Sequence, residues 1–411
     1  MKKSKLNSSK KTKEKTKTSH KKHNQNSQKN LPNSSIIRLK NIFSLPATIL
    51  LIIIFFVLAV LLLFTELEVN PLFLANTTDN IIRPLIGDKA TINVESIVFA
   101  IEDQANKIKY NFQNPSSHVF TVLPKIAKFQ NLPTLTLTPI PPLTHFTLLP
   151  NEGVWTPITI GTKKWEIART FVRPDPDRSY AVVALVKMDM TNLSVLPVAG
   201  YIQPGGPTDP GPGKIPFDIQ QDNNLVAAFN GGFLNKDGGY GMIVGKHTYL
   251  PLKPGNATFL MFSDRSPQII KYAGESLAPD VIGARQNGPL LVQDGKDITS
   301  SSLWNMQTWG LTTTNSMYTW RSGIGITKDG NLIYAAGYSL IPQTLAKALI
   351  AAGAVNAMQL DINAAWVRFV VYEPLGSGQY TYQPLMQNMV NGGRAYLTGY
   401  QKDFFYVYKK A

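Results

Sequence analysis

Polar residues that could do chemistry lie at the ends of apolar, strand-like runs in the second half of the chain. Asp361 ends the run "AVNAMQLD", and Asn230 ends the run "LVAAFN", where Gly231 and Gly232 follow. A carboxylate at the tip of a buried strand lies where folds that combine helices and strands commonly place chemistry. The glycines after Asn230 form either a tight turn or a backbone surface that a ligand approaches closely.

Two arginines precede apolar runs at junctions that are rich in small residues. Arg285 lies in "IGARQNGPLLV", and Arg321 lies in "TWRSGIGIT". A guanidinium at such a position either binds phosphate or carboxylate as a planar fork or forms a structural salt bridge. Asn363 follows Asp361 by two residues. The alternative to a functional role for Asp361 is that these two residues only cap or turn the chain.

The sequence excludes several other kinds of site. The chain contains no cysteine, which excludes thiol catalysis and cysteine-ligated zinc, and His247 is the only histidine after residue 150. The segment "GGYGMIVGKHT" lacks the first glycine and the final Ser or Thr of a P-loop. No G-x-S-x-G nucleophile elbow occurs. We therefore expect no metal and no cofactor, and any ion would need oxygen ligands such as Asp361 and Asn363.

The elements that must position these residues are short strands and one clear helix. Asp-Gly pairs at 294–295 and 329–330 each separate two apolar runs, which predicts β-hairpins. Residues 342–352 combine an early proline with apolar residues at helical spacing, and Gly353 follows at the place of a C-terminal cap. The sequence predicts an α+β fold: a mixed β-sheet domain with a few packed helices.

The charge of the chain is concentrated at its N-terminus. The net charge is +15, and residues 1–40 carry 13 Lys and Arg against one Glu. The remainder is too weakly basic for a nucleic-acid-binding face, so we expect no nucleic-acid partner. Residues 1–46 form a basic tail that is predicted to be disordered and cytoplasmic.

A membrane anchor is predicted directly after this tail. Residues 47–64 are 18 residues without a charge, close to the lower length limit of a transmembrane helix. The lysines before them predict a cytoplasmic N-terminus and an extracytoplasmic main domain. The alternative is a cleaved signal peptide.

The composition of residues 65–411 indicates three segments after the predicted anchor. Residues 65–131 are predicted to be a membrane-proximal stem. Residues 132–150, "LPTLTLTPIPPLTHFTLLP", are rich in Thr and Pro and predict an extended, stiff spacer. Residues 151–411 contain β-rich runs and glycine turns, so we place the functional domain there.

Four motifs of this domain occur together in one order: "AAFNGGF", "NGPLLVQDGK", "RSGIGITKDGNLIYAAG" and "LAKALIAAGAVNAMQLD". As a set they resemble the phosphodiester glycosidase family, the relatives of the lysosomal enzyme that removes N-acetylglucosamine from a sugar phosphodiester. The resemblance covers about residues 205–405. It implies that Asn230, Gly231, Gly232 and Phe233 are the family's Asn-Gly-Gly-Phe signature at the edge of its substrate cleft.

The sequence departs from the family pattern after Asp361. The family's common ending is Leu-Asp-Gly-Gly-Gly-Ser, whereas this chain reads "LDINAAWVRF". Ile362, Asn363 and Trp366 replace the small residues that a backbone cradle for an anion needs. Either Asn363, Trp366 and an arginine take over substrate binding, or this branch has a different substrate or no activity.

The resemblance implies hydrolysis of a sugar 1-phosphodiester. The phosphate leaving group is a weak base, so the reaction needs charge stabilisation and a carboxylate more than a strong acid. Arg321 and Arg285 suit the first task, and Asp361 suits the second with Glu275 as its partner. We expect a membrane-anchored extracytoplasmic hydrolase that acts on phosphate-linked sugars or envelope polysaccharides. The alternative is a non-catalytic protein of the same fold that binds envelope glycans.

Overall fold

The computed structural model describes residues 88–121, 135–158, 166–299, 309 and 318–410. The basic tail and the anchor predicted at residues 47–64 lie outside these ranges. Across the described ranges, no helix combines the length and the apolar character needed to cross a membrane. The anchor and its orientation therefore stay predictions.

Helices are few in the described part of the chain. They are α1 (Asp88–Phe112), α2 (Phe217–Gln221), α3 (Pro342–Ala351), α4 (Gly393–Thr398) and a 3₁₀ turn (Asn235–Asp237). The strands are β1 (Thr156–Pro157), β2 (Ile167–Val172), β3 (Val183–Met188), β4 (Leu193–Val198), β5 (Leu225–Asn230), β6 (Met242–Val244), β7 (His247–Leu250), β8 (Ala257–Phe262), β9 (Pro267–Lys271), β10 (Val281–Asn287), β11 (Leu290–Gln293), β12 (Lys296–Asp297), β13 (Thr319–Thr327), β14 (Leu332–Leu340), β15 (Ala354–Ile362), β16 (Phe369–Gly376), β17 (Gln379–Pro384) and β18 (Phe404–Lys409).

The strands form three sheets. Sheet I has the order β1-β2-β3-β14-β13-β15-β11-β12, sheet II has the order β7-β6-β10-β8-β9, and sheet III has the order β17-β16-β5-β18-β4. Each strand pairing within these sheets is antiparallel. The predicted sheet-rich α+β class is confirmed.

The local predictions for turns and the helix are also confirmed. Asp294 and Gly295 adopt positive φ angles of 51° and 74° between β11 and β12, and Gly330 has φ 80° between β13 and β14. These are the left-handed conformations that the turns of tight hairpins require. Helix α3 is followed by Gly353 at φ 99°, and β15 carries Asp361 at its end.

One aromatic cluster joins the three sheets. Phe229 of sheet III lies 5.3 Å from Tyr334 of sheet I and 5.2 Å from Phe405, measured between ring centroids. Phe259 of sheet II lies 5.4 Å from Phe405. Because the sheets share this core, the ends of their strands converge beside it.

Helix α3 covers the other face of sheet I. A Cβ atom at Gly323 in β13 would lie 3.2 Å from Leu345, 3.4 Å from Leu349 and 2.8 Å from the carbonyl oxygen of Met358. Glycine therefore lets the helix approach the strand closely, which accounts for small residues in "RSGIGIT".

The predicted spacer is part of the domain. Its described portion has no helix or strand, as expected, but Leu135, Ile140 and Leu149 are only 3%, 6% and 4% exposed. The Ile140 N–H also donates to the Gly153 carbonyl at 2.9 Å. The described residues 135–150 therefore pack on the domain, because their apolar side chains have a surface on which to pack, which composition does not reveal.

The described part of the predicted stem also packs on the domain. The Arg178 Nε atom donates to Asp103 of α1 at 2.7 Å, and the Tyr180 hydroxyl donates to the same carboxylate. The Tyr338 hydroxyl donates to Glu102 at 2.8 Å. The described residues of the predicted stem accordingly belong to the same compact unit as the domain.

Two adjacent leucines test whether residues 135–150 belong to the domain. Leu149 is 4% exposed and Leu148 is 49% exposed. We expect Leu149→Ala to destabilise the protein by about 2–5 kcal/mol because it leaves a cavity. Leu148→Ala is the matched control and should change the stability by less than about 0.5 kcal/mol. Urea unfolding measures both values, and equal small effects would show that this segment does not pack on the domain.

Candidate functional site

The candidate site forms where the three sheets meet. The loop after β5 lies between the end of β15 and the residues before β18. The Gly231 N–H donates to the Asp403 carbonyl at 3.1 Å, and the Asp361 N–H donates to the Gly231 carbonyl at 3.0 Å. These two backbone bonds bring the predicted signature and the predicted catalytic carboxylate together.

Asn230 links these elements through the hydrogen bonds of its side chain. Its side-chain nitrogen donates to the Gly231 carbonyl at 3.1 Å and to Ser322 Oγ at 3.0 Å. Its side-chain oxygen accepts from the Tyr334 hydroxyl at 3.1 Å and from the Arg368 N–H at 3.0 Å. Both donors and both acceptor sites of the amide are thus used. Asn230 therefore holds strands together through all the hydrogen-bonding groups of its amide.

The glycines of the signature make room for a carboxylate. A Cβ atom on Gly231 would lie 1.9 Å from Asp403 Oδ2, and one on Gly232 would lie 2.9 Å from the Arg285 guanidinium carbon. The Gly232 N–H also donates to Asp403 Oδ2 at 3.0 Å. The close approach that the glycines permit is therefore an internal one.

Arg285 is a structural residue in this arrangement. Its Nε donates to Asp403 Oδ2 at 2.7 Å and its Nη2 to Asp403 Oδ1 at 3.1 Å. Its remaining N–H groups donate to the carbonyls of Tyr240, Gln286 and Phe233. All five donors of the guanidinium are used. The salt-bridge alternative therefore describes Arg285, and the predicted fork onto a substrate anion does not.

Phe233 completes the signature as a buried side chain. It is 4% exposed, and its N–H donates to Asn287 Oδ1 at 3.1 Å. Asn287 in turn donates to the carbonyls of Gln359 and Leu360, next to Asp361. The signature is thus tied to β10 and β15 through this asparagine.

Arg321 is buried in sheet I. It is 1% exposed, and burial lowers its pKa to about 9. Its Nε donates to the Leu340 carbonyl at 3.0 Å, and its Nη1 donates to the Trp309 carbonyl at 3.0 Å and to Gln359 Oε1 at 2.7 Å. These contacts give Arg321 a structural role in holding β13, β14 and β15 around Trp309.

Asp361 pairs with a lysine that the sequence analysis did not single out. Its Oδ2 accepts a hydrogen bond from Lys402 Nζ, and its Oδ1 accepts from the Ile362 N–H at 2.9 Å. Asp361 is 4% exposed and Lys402 is 3% exposed. Burial raises the pKa of Asp361 to about 6, and the ammonium of Lys402 partly opposes this effect. A carboxyl group that titrates near neutrality can accept or donate a proton under ordinary conditions.

The segment after Asp361 folds back over this pair. Asn363 has φ 72°, and its N–H donates to the Trp320 carbonyl at 2.8 Å. Its side-chain oxygen accepts from the Thr319 hydroxyl at 3.1 Å, so Asn363 turns the chain, as the turn alternative proposed. The half-buried ring of Trp366 lies 4.3 Å from Lys402 Nζ. Trp366 is therefore a predicted binding residue whose side chain contacts the Asp361–Lys402 pair.

Glu275 does not join the site. It is exposed in the loop after β9, where its carboxylate accepts from the Ala273 N–H at 3.0 Å. Its carbonyl accepts from the Tyr272 hydroxyl at 2.6 Å. The predicted partnership of Glu275 with Asp361 finds no contact in the described residues, because this loop belongs to the edge of sheet II.

Lys402 and Asp403 are the residues that sequence reasoning missed. They lie in "QKDFFYVY", where two opposite charges directly precede a run of five apolar or aromatic residues. Charged residues seldom become buried unless they are paired, so this juxtaposition was a usable signal. Within the described ranges, no group of three His, Asp or Glu side chains is arranged as metal ligands.

The stability of the Asp361–Lys402 pair should depend on pH. Lys402→Met leaves a buried carboxylate without its counter-charge, which costs about 3–5 kcal/mol when the carboxylate is ionised. A carboxyl whose pKa is raised on folding binds its proton more tightly in the folded state, so its burial destabilises the protein increasingly as pH rises through about 6. We expect the loss for Lys402→Met to be larger at about pH 8 than at about pH 5.

Urea unfolding of the two forms at both pH values measures this difference. Asp361→Asn/Lys402→Met is the control, because the new amide still accepts from the Ile362 N–H and neither charge remains. The double variant should recover part of the loss at about pH 8. An identical loss at both pH values would show that Asp361 is not the group left unpaired.

A family model agrees with the motifs. The phosphodiester glycosidase family model matches residues 223–361. Among solved structures, the catalytic domain of zebrafish N-acetylglucosamine-1-phosphodiester alpha-N-acetylglucosaminidase, auto-inhibited by its pro-peptide, is similar at 15% identity and a TM-score of 0.39, over 62% of this chain and 88% of that chain. A hypothetical protein from Synechocystis is similar at 14% identity and a TM-score of 0.33, over 60% of this chain and 63% of that chain. No curated protein sequence matches this chain.

The matched region begins just before β5 and ends on Asp361. It contains the Asn-Gly-Gly-Phe segment, Arg285 and Arg321, whereas Trp366 and Lys402 lie beyond its end. The resemblance carried by the sequence motifs is therefore confirmed: residues 223–361 of this chain match the phosphodiester glycosidase family.

Proposed function

We propose that this protein is a hydrolase that cleaves sugar phosphodiesters at the anomeric carbon. Two observations support the proposal. Residues 223–361 match a family described as phosphodiester glycosidases. The last residue of that match, Asp361, is a buried carboxyl group whose pKa is raised to about 6, and this is the observation that carries the proposal. Strongly perturbed carboxyl groups beside a specific charge partner are typical of functional sites.

The reaction needs one carboxylate and one source of positive charge. A water molecule adds its oxygen to the anomeric carbon, and the bond from that carbon to the phosphate oxygen breaks. The phosphate monoester leaves with the bonding electrons, and the proton of the water passes to the Asp361 carboxylate. Because the leaving group is a weak base, the residues need not protonate it first.

Lys402 would assist both the carboxylate that accepts the proton and the phosphate that leaves. Its ammonium group favours the ionised form of Asp361 and so keeps the carboxylate available above about pH 6. A positive charge at this place also stabilises the negative charge that develops on the departing phosphate. Lys402 thus takes the role that the sequence analysis gave to Arg321 and Arg285, whose described contacts are structural.

The cellular setting of the proposal comes from the sequence. The uncharged residues 47–64 and the lysines before them support a single transmembrane anchor with the catalytic domain outside the cytoplasm. A substrate of this domain would then be a phosphate-linked sugar or an envelope polysaccharide. The membrane and this glycan are the proposed partners.

A second candidate function is binding of envelope glycans without hydrolysis. One observation favours it: the Asp361 carboxylate is 4% exposed and already engaged by Lys402, with the family-like glycines after it replaced. A carboxylate held in this way could serve only to fix the loop. A protein that binds a sugar 1-phosphodiester with no turnover would establish this alternative.

Activity measurements on a sugar 1-phosphodiester test the role of Asp361. We expect Asp361→Asn to lower the rate of sugar release by about 10²–10⁴-fold, the usual contribution of a general base. Asp329→Asn is the matched control, because Asp329 is an exposed turn residue that accepts from Thr327 and Asn331. Glu275→Gln should also keep the parent rate.

These assays must be run below the melting temperature of each variant, because Asp361→Asn leaves Lys402 without its carboxylate. Circular dichroism provides the fold control. A folded Asp361→Asn variant with the parent rate would remove Asp361 from the mechanism and with it the proposed site.

The pH dependence of the rate gives an independent prediction. If Asp361 acts as a carboxylate, the rate should fall as the pH is lowered through about 6. In Lys402→Met the midpoint should move to higher pH, because the ammonium group no longer opposes the effect of burial. Initial rates between about pH 5 and about pH 8 measure both midpoints. A midpoint that is unchanged in Lys402→Met would assign the titration to another group.

A further inference from the structure

Arg368 lies in the segment between β15 and β16, beyond the part of the chain that matches the family. Its backbone is held firmly: the N–H donates to Asn230 Oδ1 at 3.0 Å, and the carbonyl accepts from the Asn230 N–H at 3.0 Å and from the Tyr334 hydroxyl at 3.3 Å. The position of this residue is therefore set by the same asparagine that organises the site.

The side chain of Arg368 is buried but poorly satisfied. The residue is 4% exposed, and its Nη2 donates to the Ala365 carbonyl at 3.1 Å. Its Nε is buried without a hydrogen-bond partner, and no carboxylate among the described residues pairs with the guanidinium. A buried polar group without a partner calls for a specific explanation.

A second unsatisfied group lies close by. The hydroxyl of Tyr396 is also buried without a partner in the described structure. The Arg368 guanidinium lies 4.8 Å from the ring centroid of Tyr400, and the Tyr396 ring packs edge-on against the same ring at 5.2 Å. Two unused hydrogen-bonding groups therefore lie around one tyrosine.

The surroundings of Arg368 connect it to the Asp361–Lys402 pair. Trp366 and Arg368 are two residues apart in the segment before β16. Tyr400 and Lys402 are two residues apart in the segment before β18. Lys402 lies over the ring of Trp366 at 4.3 Å, and Arg368 lies over the ring of Tyr400 at 4.8 Å. In these two cation–π contacts each segment supplies one cation and one aromatic ring. The ammonium group of Lys402 and the guanidinium group of Arg368 therefore lie in neighbouring parts of the same site.

The charges at this site do not cancel. Asp361 pairs with Lys402, and Asp403 pairs with Arg285 in a bidentate contact. Arg368 adds a positive charge that no described carboxylate neutralises. A phosphodiester carries one negative charge, and a planar guanidinium binds two phosphate oxygens at once.

We propose that Arg368 binds the phosphate group of the sugar phosphodiester, with the Tyr396 hydroxyl as a second donor. This inference rests on the proposed function and names the residue that holds the anion. Arg368 takes the place of the glycine-rich cradle that follows Leu-Asp in the family pattern and is missing from "LDINAAWVRF". Asp361 and Lys402 then lie beside the bond to the sugar.

Calorimetry on the full chain tests the phosphate contact. The probes are glucose 1-phosphate and neutral methyl glucoside, with Arg368→Gln and Arg368→Lys as the variants. We expect Arg368→Gln to weaken glucose 1-phosphate binding at least about tenfold and to remove its advantage over methyl glucoside. Arg368→Lys should recover part of that affinity, because it restores the charge without the planar fork.

The matched control is Arg394→Gln, since Arg394 is an exposed arginine of α4, in the same helix as Tyr396. It should bind glucose 1-phosphate as the parent does. Arg368→Gln should also melt within a few degrees of the parent without ligand, because it removes an unneutralised buried charge. Unchanged affinity in a folded Arg368→Gln variant, or loss of fold in both Arg368 variants, would overturn the inference in favour of a structural role.

Different results would overturn the role of Arg368 and the proposed hydrolase activity. Hydrolysis by the parent with an unchanged KM in Arg368→Gln would overturn the inference and leave the hydrolase in place. Binding of glucose 1-phosphate that depends on Arg368, without hydrolysis of any sugar 1-phosphodiester, would support the inference and overturn the hydrolase.

Discussion

The buried ion pair between Arg285 and Asp403 is the interaction on which the rest of the site depends. Arg285 is 0% exposed and Asp403 is 2% exposed, and an isolated charge in such a place would be strongly unfavourable. The bidentate contact and the carbonyls around Arg285 remove that penalty. Because Asp403 also accepts from the N–H groups of Gly231 and Gly232, the pair fixes the course of the signature loop. Its space requirement explains why both positions are glycine.

Lys402, the residue before Asp403, forms a second buried ion pair, with Asp361. Lys402 and Asp403 are consecutive residues directly before β18. Lys402 pairs with Asp361 of sheet I, while Asp403 pairs with Arg285 of sheet II. Two residues that lead into β18 thus form ion pairs with both other sheets. The three sheets therefore meet at buried ion pairs, and the core beside these pairs is formed by the aromatic cluster around Phe229.

This arrangement separates residues that hold the site from those that remain available for chemistry. Asn230 and Arg285 have used every hydrogen-bonding group they possess. Asp361 has a raised pKa, and Arg368 has an N–H without a partner in the described structure. A group that is buried and incompletely satisfied costs stability, and such costs are commonly found at functional sites. Asn230 and Arg285 therefore support the site, whereas Asp361 at the end of the family match and Arg368 beyond it are less completely satisfied.

The sequence by itself determined the local features of this protein. The Asp-Gly turns, helix α3, the end of β15 at Asp361 and the set of family motifs all follow from patterns over a few neighbouring residues. It did not determine the role of the polar residues. Arg285 and Asp403 are 118 residues apart, and Asp361 and Lys402 are 41 apart, so no spacing rule joins them. Residue type alone pairs Glu275 with Asp361, and composition alone predicts a spacer at residues 132–150. Only the tertiary structure decided these questions, because a side chain is free for function only if its donors, acceptors and charge are not already satisfied by distant parts of the chain.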